Sequence, residues 1–223
     1  MKIKIVTTAI LIALLTSCKT SNQITYFQDI NQRNSGQLTE NGVNYEAKIC
    51  PDDQLSNFVS SIDPNSVAVF NLPLTSYLNP GETNVAATPT MQTYLVDTNG
   101  NIEFPVLGKI KVVGQTRSEL AENLKEKISA YAKSPLVTIK IQNFKVSVLG
   151  EVNIPGTKVI TNERISILDA IGMAGDLTIY GERTNVLIIR DNNGKKEFHR
   201  LDLTSSEMLS SPYYYLQQND IVY

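Results

Sequence analysis

The chain of 223 residues has few or none of three residue types: it has two cysteines, one histidine and no tryptophan. With Cys18 and Cys50 as its two cysteines, a fold held by a disulfide framework is excluded. A lone thiol and the single His199 raise the possibility of a Cys/His nucleophile. A small, half-buried side chain before a turn at Pro51 is the favoured interpretation of Cys50.

Concentrated charge is also missing. Lys and Arg together number 20, Asp and Glu together number 22, and no basic run is longer than Lys195-Lys196. Nucleic-acid binding depends on a concentrated basic surface, so nucleic acid is not expected as a partner. The hydrophobic content of 42% is ordinary for a folded protein. The length after Cys18 fits one large or two small domains.

Long apolar runs are absent except at the N-terminus. Residues 5–15 are apolar apart from two threonines, and Lys2 and Lys4 precede the run. The run is shorter than the roughly 20 residues that a membrane-spanning helix needs. With its basic flank it predicts a lipoprotein signal peptide over residues 1–17. No membrane-spanning segment is expected in the mature chain after removal of the signal peptide.

Cys18 follows this run directly. The sequence Leu15-Thr16-Ser17-Cys18 resembles the bacterial lipobox, which implies cleavage before Cys18 and a lipid anchor on its thiol, with palmitate among the chains. Each buried methylene contributes about 0.8 kcal/mol, so several chains hold a protein to a membrane durably. No Asp follows Cys18 directly, which by resemblance to other lipoproteins implies the outer membrane, facing the periplasm. An ordinary cleaved signal with a chance cysteine is the alternative.

The segment after the anchor is polar. Residues 18–48 predict a tether, with a small apolar island at Ile24, Tyr26 and Phe27 that is expected to dock loosely. A turn is expected at 51–53, where Asp52 and Asp53 would be satisfied by local turn bonds rather than act as a catalytic pair. Strands are predicted over 55–61 and 66–72, and a loop over 73–92.

A module with one capped helix is predicted next. Asn99-Gly100 between apolar runs is typical of a hairpin, here between strands over 94–97 and 102–107, and a strand over 109–113 follows. Thr116 and Glu119 have the spacing of a capping box. Four residues of the helix that it opens recur on one face: Leu120, Leu124, Ile128 and Tyr131. Alternation over 137–141 predicts the closing strand.

A second module follows at once. Strands are predicted over 144–149 and 157–161, then a helix over 167–174 that begins with a capping box at Ser166 and Asp169 and stops at Gly175. A hairpin is expected between 185–190 and 196–201, with final strands over 213–216 and 221–223. One short helix on a small sheet is typical of an α+β fold.

Four motifs in these modules resemble those of a known family. The first is similar to the signature of the polysaccharide export domain of Wza-like outer-membrane lipoproteins: Asp97-x-x-Gly100-x-Ile102-x-Phe104-Pro105-x-x-Gly108-x-x-x-Val112-x-Gly114-x-Thr116. The next two resemble the SLBB (soluble-ligand-binding β-grasp) module: Val148-Leu149-Gly150-Glu151-Val152-x-x-Pro155-Gly156 and Leu168-Asp169-Ala170-Ile171-x-x-Ala174-Gly175. Leu216-Gln217-x-x-Asp220 resembles the usual end of that module. The combination of these motifs is most similar to that of the copies found in Bacteroidetes capsule loci.

The resemblance implies a βαβ-type export domain over 49–142 and a β-grasp SLBB domain over 143–223. It further implies a non-enzymatic, ring-forming subunit of a capsular or extracellular polysaccharide export channel. The implied partners are the exported polysaccharide, an inner-membrane polysaccharide co-polymerase or tyrosine autokinase, outer-membrane lipid and further copies of the chain. No cofactor, metal or catalytic residue is implied. The alternative is a lipid-anchored periplasmic β-grasp module that binds a soluble oligosaccharide or a scaffold partner.

The end of the sequence differs from that of some members of this family. Some Wza-like proteins end in an amphipathic helix that lines an outer-membrane pore, whereas residues 219–223 are expected to form a strand. The sequence is therefore either truncated or that of a periplasmic ring that uses another protein's pore.

Glu151 and Asp169 could be a glycosidase pair, but a turn and a helix cap explain them better. The tyrosines at 213–215 are expected to alternate between core and surface rather than stack on sugars.

Overall fold

The computed structural model describes residues 25–32, 45–75, 90–192 and 194–223. The chain forms two α+β modules in sequence, each with its own hydrophobic core. This agrees with the predicted fold class. The signal peptide, Cys18 and most of the predicted tether lie outside the described residues.

The first module is a small antiparallel sheet covered by a helix. Its strands and helices, in chain order, are β1 (Gln54–Ser60), α1 (Pro64–Val67), β2 (Leu74–Thr75), β3 (Thr90–Met91), β4 (Tyr94–Leu95), β5 (Asn101–Phe104), β6 (Gly108–Lys111), α2 (Arg117–Ile128) and β7 (Leu136–Ile141). The sheet has the order β4-β1-β7, and β2–β3 and β5–β6 form separate two-stranded pairs. Helix α2 packs against β7.

Helix α2 begins at the predicted capping box. The Thr116 hydroxyl accepts from the Glu119 amide at 3.2 Å, and the Glu119 carboxylate accepts from the Thr116 amide at 2.8 Å. The predicted apolar face is buried at Leu120, Leu124 and Ile128. Tyr131 was expected on that face too, but it follows the end of the helix and remains 56% exposed.

Two predictions for the chain between β1 and β4 are wrong. The segment expected as a strand over 66–72 is α1 followed by a 3₁₀ turn, Ala68–Phe70. The Asp63 carboxylate accepts from the Asn65 amide at 3.1 Å, and Pro64 occupies the first helical position, so a helix start outweighs the β-branched residues that follow. The expected loop over 73–92 likewise contains the paired strands β2 and β3.

The predicted hairpin around Asn99-Gly100 also differs from the structure. A tight turn does form there, with the Asp97 carboxylate accepting from the Asn101 amide at 2.8 Å. However, β4 pairs with β1 and β5 pairs with β6. Gly100 has a φ of +78°, and a Cβ atom there would lie 2.3 Å from a Val113 methyl carbon, so this glycine permits the close approach of the two segments.

The second module is a five-stranded sheet with one short helix. Its elements are β8 (Lys145–Val148), β9 (Gly156–Val159), α3 (Ile167–Met173), β10 (Val186–Asn192), β11 (Lys195–Leu201) and β12 (Ile221–Val222). The strand order is β11-β10-β12-β8-β9, with β12 parallel to β8 and the other pairs antiparallel. The capping box at Ser166 and Asp169 opens α3 as predicted. The expected strand over 213–216 is not formed, for reasons given below.

In the described ranges, no helix combines the length and the apolar character that crossing a bilayer requires.

Candidate functional site in the second module

The two modules meet at a buried polar junction centred on Gln218. Its side-chain amide nitrogen donates to the Asp53 carboxylate at 2.9 Å and to the Asn143 carbonyl at 3.1 Å, while its oxygen accepts from the Lys145 amide at 2.8 Å. Asn143 adds a second bridge by accepting from the Gln54 amide at 2.9 Å. Because Gln218 uses both ends of its amide, it fixes one module against the other.

A charged bridge lies beside this junction. Arg117, at the start of α2, contacts Glu163 of the second module at 2.7 Å and Glu46 at 3.3 Å. Tyr45 stacks on Tyr215 with ring centres 5.5 Å apart. The first contact joins the first module to the loop between β9 and α3, and the second reaches the segment before β12.

Asp53 lies inside the junction and has no exposed surface. Its second carboxylate oxygen accepts from the Cys50 amide at 2.8 Å, which is the local turn bond that the sequence predicts. Burial raises the pKa of Asp53 from 3.8 to about 6. Asp52 is exposed, so the two carboxylates do not share one environment.

The proposed Cys/His nucleophile is not assembled. Cys50 is half-buried beside the turn, as predicted, and its thiol is directed at the Lys48 carbonyl at 3.5 Å. Burial raises the pKa of Cys50 to about 11, so the reactive thiolate is disfavoured. His199 lies on β11 of the other module, with its ring stacked on Tyr213.

A buried ion pair holds the end of the second module. Arg190 on β10 donates to both carboxylate oxygens of Asp220, the shortest bond being 2.7 Å. The same guanidinium donates to the Tyr215 carbonyl at 3.1 Å and lies over the Tyr213 ring at 5.2 Å. These side-chain contacts explain why 213–216 folds as turns around Arg190 instead of as a ladder strand.

Sequence reasoning missed Arg190 and noted Asp220 only as part of a motif. A signal was present in β10, because Val186, Ile188 and Arg190 alternate in the register of a buried face. A charged residue in that register needs a buried partner of opposite sign. Asp220 is that partner.

Glu151 and Asp169 both have structural roles. Asp169 accepts from the Ser166 amide and hydroxyl at 3.0 and 2.6 Å, as expected of a helix cap. Glu151 accepts from the Thr178 hydroxyl at 2.9 Å, which joins the turn after β8 to the loop after α3. No metal-binding group of His, Cys, Asp and Glu occurs within the parts of the chain that the structure covers.

Residues 25–32 lie against the second module. The Phe27 and Gln28 amides donate to the carbonyls of Leu203 and Thr204 at 3.4 and 2.7 Å, and the Tyr26 hydroxyl donates to the Asp176 carboxylate at 2.5 Å.

Two further contacts fix this segment. The Arg183 guanidinium lies over the Tyr26 ring at 5.1 Å. The Asp29 carboxylate accepts from the Ser206 amide and hydroxyl at 2.7 and 2.9 Å. These bonds make a specific docking site for a segment that precedes both modules in sequence.

A cavity of about 410 Å³ opens in the second module. Its floor is apolar and belongs to the core: Val148, Ile171, Val186 and Val222. Two loops form its rim, 149–152 and 177–182. Tyr180 and Tyr223 both line it and are 73% and 65% exposed.

Comparisons with known proteins agree with this architecture. The family model described as polysaccharide biosynthesis/export protein matches residues 41–142, and the SLBB domain model matches residues 144–223. The EPS I polysaccharide export outer membrane protein EpsA of Ralstonia solanacearum is 38% identical over 80 residues, which cover 34% of this chain and 21% of the relative. EpsA of Ralstonia nicotianae is 37% identical over 75 residues, covering 32% and 20%.

The matched part thus spans about a fifth of the length of these curated relatives. The two family models follow one another along the chain and coincide with the two modules of the fold. The chain thus carries a polysaccharide biosynthesis/export domain over residues 41–142, followed by an SLBB domain over residues 144–223.

Proposed function

We propose that this protein is a non-enzymatic subunit of a channel that exports capsular or extracellular polysaccharide across the outer membrane. The observation that carries the proposal is the tandem arrangement of the export domain and the SLBB domain over 41–142 and 144–223. The relatives named above are polysaccharide export outer membrane proteins, which supports the same role and location.

The arrangement of the sheets supports assembly into a ring. Within the described part of the chain, β4 and β7 are the outer strands of the first sheet, and β9 and β11 those of the second. Each sheet therefore has two opposite edges. A contact between unlike edges of neighbouring copies closes into a ring when the rotation between copies fits.

The junction supports the same assembly. Gln218 and Arg117 connect the modules through buried or half-buried side chains, so the two modules of one subunit stack as a unit. A ring of such units would enclose a conduit two modules deep. Its inner-membrane side would meet a polysaccharide co-polymerase or tyrosine autokinase, the partner that the family resemblance implies.

The anchor is part of the proposal. Acylation of Cys18 would hold each subunit at the outer membrane, facing the periplasm. Metabolic labelling with a palmitate analogue tests this directly: the wild-type protein and the Cys50→Ala variant should incorporate label, and Cys18→Ala should not. Cys50→Ala is the matched control because it removes the other cysteine of the chain.

Export is tested by deleting the gene and restoring it with either variant. Surface polysaccharide should be lost on deletion, return with Cys50→Ala, and remain absent with Cys18→Ala. Normal surface polysaccharide in the deletion strain would refute the proposed function.

Assembly is tested by electron microscopy of the acylated protein in detergent. Closed rings are expected. A stable monomer that binds a soluble oligosaccharide would instead favour the lipid-anchored binding module.

A further inference from the structure

We propose that the cavity between the loops 149–152 and 177–182 binds neutral sugar units of a glycan, which stack on Tyr180 and Tyr223. The proposal rests on the proposed export function only for the source of the glycan. The chemistry of the cavity carries the rest.

The size and lining of the cavity suit a small ligand. Its volume of about 410 Å³ falls in the range of roughly 300–1,000 Å³ that is usual for ligand sites. Val148 and Val222 form an apolar floor and are 0% and 2% exposed. They belong to neighbouring strands of the central sheet, so the floor is rigid.

The two tyrosines are exposed although their backbones are fixed. Tyr223 exchanges two backbone hydrogen bonds with Leu187, at 2.7 and 2.8 Å, and its ring lies against Gly150. A Cβ atom at Gly150 would lie 3.3 Å from that ring. The absence of a side chain at Gly150 therefore leaves room for the tyrosine ring at the edge of the cavity.

Tyr180 is held by a loop that is clamped to Glu151. The Thr178 amide donates to the Glu151 carbonyl at 2.8 Å, and the Tyr180 amide donates to the Thr178 hydroxyl at 3.2 Å. A Cβ atom at Gly181 would lie 2.8 Å from Leu177 and 3.0 Å from the Glu151 carbonyl, so only glycine allows this close approach.

An exposed, preorganised aromatic ring is well suited to bind a sugar. The C–H face of a pyranose packs on the flat face of a tyrosine, while the sugar hydroxyls and the tyrosine hydroxyl stay in water. Little entropy is lost on binding because the backbone is already fixed.

The polar groups of the rim select for charge. Glu151 and Glu182 contribute two carboxylates, against one guanidinium from Arg200, which itself donates to the Asn185 side chain. Carboxylates accept hydrogen bonds from sugar hydroxyls but repel the carboxylates of acidic sugars. The cavity is therefore matched to neutral glycans rather than to uronic acid polymers. Its open rim suits weak, repeated contacts, which a conduit for a moving polymer requires.

The test uses the full acylated chain in lauryldimethylamine oxide, a detergent without a sugar head group. The protein is labelled with 3-fluorotyrosine, and the signals of Tyr180 and Tyr223 are assigned with Tyr→Phe variants. Maltohexaose and cellohexaose are the neutral probes, and hexagalacturonate is the acidic probe. Both neutral probes should shift the two assigned signals at millimolar concentration, and the acidic probe should bind at least fivefold more weakly.

Tyr180→Ala and Tyr223→Ala should each weaken binding of the neutral probes at least fivefold. Phe198→Ala is the matched control, because Phe198 is an exposed aromatic residue of the same module outside the cavity lining. It should bind as the wild type does. No shift with either neutral probe at 10 mM, or equal binding of the acidic probe, would overturn the proposal.

The two proposals fail in different ways. Binding of neutral probes by the purified protein, together with normal export in the deletion strain, would leave the glycan site standing and refute the export function. Loss of export on deletion, with no shift of the tyrosine signals, would do the reverse.

Discussion

Gln218 and Asp53 are separated by 165 positions in the chain and form a buried hydrogen bond of 2.9 Å between the two modules. Each residue also bonds to the backbone of its own module: Gln218 accepts from the Lys145 amide, and Asp53 accepts from the Cys50 amide. The pair therefore joins two turns, one in each module, and separation of the modules at this point must break it.

Replacing Gln218 should loosen this connection. In Gln218→Ala the Asp53 carboxylate and the Lys145 amide lose buried partners, which should lower the free energy of unfolding by about 1–3 kcal/mol. Urea denaturation measures the change. Gln54→Ala is the control, because the Gln54 side chain is exposed while its backbone makes the same kind of junction bond. Equal stability of both variants would show that the Gln218 bonds contribute nothing.

Asp53 should make stability depend on pH. Burial raises its pKa from 3.8 to about 6, so the folded protein binds this proton more tightly than the unfolded chain does. The Asp53 contribution to stability is then full below about pH 4 and is lost as the pH rises through about 6, a loss of roughly 1–3 kcal/mol.

The measurement compares the wild type with Asp53→Asn by urea denaturation between pH 4 and pH 7.5. The difference in unfolding free energy between the two proteins should change with pH in the sense given above, because other carboxylates titrate alike in both. Parallel pH profiles would show that Asp53 has an ordinary pKa.

Breaking the buried ion pair should be costly. Asp220→Asn leaves the Arg190 guanidinium, which is 6% exposed, without a buried counter-charge. Removal of one partner from such a pair typically lowers stability by about 3–5 kcal/mol. Thermal and urea unfolding of the full chain would record it. The exposed pair of Asp191 and Lys196 on the same hairpin provides the control, since Asp191→Asn should leave the unfolding midpoint unchanged within error. A similar midpoint for both variants would contradict the prediction.

Asp29 should hold the N-terminal segment in place. Asp29→Ala removes the acceptor for the amide and hydroxyl of Ser206, which is fully buried. Hydrogen exchange at the amides of Gln28 and Ser206 should accelerate at least tenfold, while exchange in helix α2 stays unchanged. The exposed Glu126→Ala is the control. Unchanged exchange at both amides in Asp29→Ala would show that the segment is held by its other contacts.

Local signals in the sequence predicted much of the fold. Both capping boxes are formed, because the two hydrogen bonds of each box depend only on residues three positions apart. The alternation over β7 and β8 also indicated the correct buried faces. The pairing of strands was less predictable. Strand β4 pairs with β1, which lies some forty residues earlier in the chain, and does not pair with β5 beyond the next turn.

Long-range polar contacts were the least predictable part of the candidate site. The residues around Gln218 do not distinguish it from an exposed glutamine. Its partner Asp53 lies in a segment with the composition of an ordinary turn. Tyr180 and Tyr223 are likewise brought to one cavity only by the packing of two loops on the sheet. Such features depend on tertiary placement, to which neighbouring residues give no guide.

The docked segment 25–32 also determines the path of mechanical force through the molecule. Tension applied to the chain ahead of residue 25 would reach the second module through the bonds at Tyr26, Gln28 and Asp29 before it could load the covalent route through the first module. With these bonds intact, the first module is shielded from a pull on the N-terminal end. The C-terminal module would be the first part of the subunit to bear load, although it is the last in sequence.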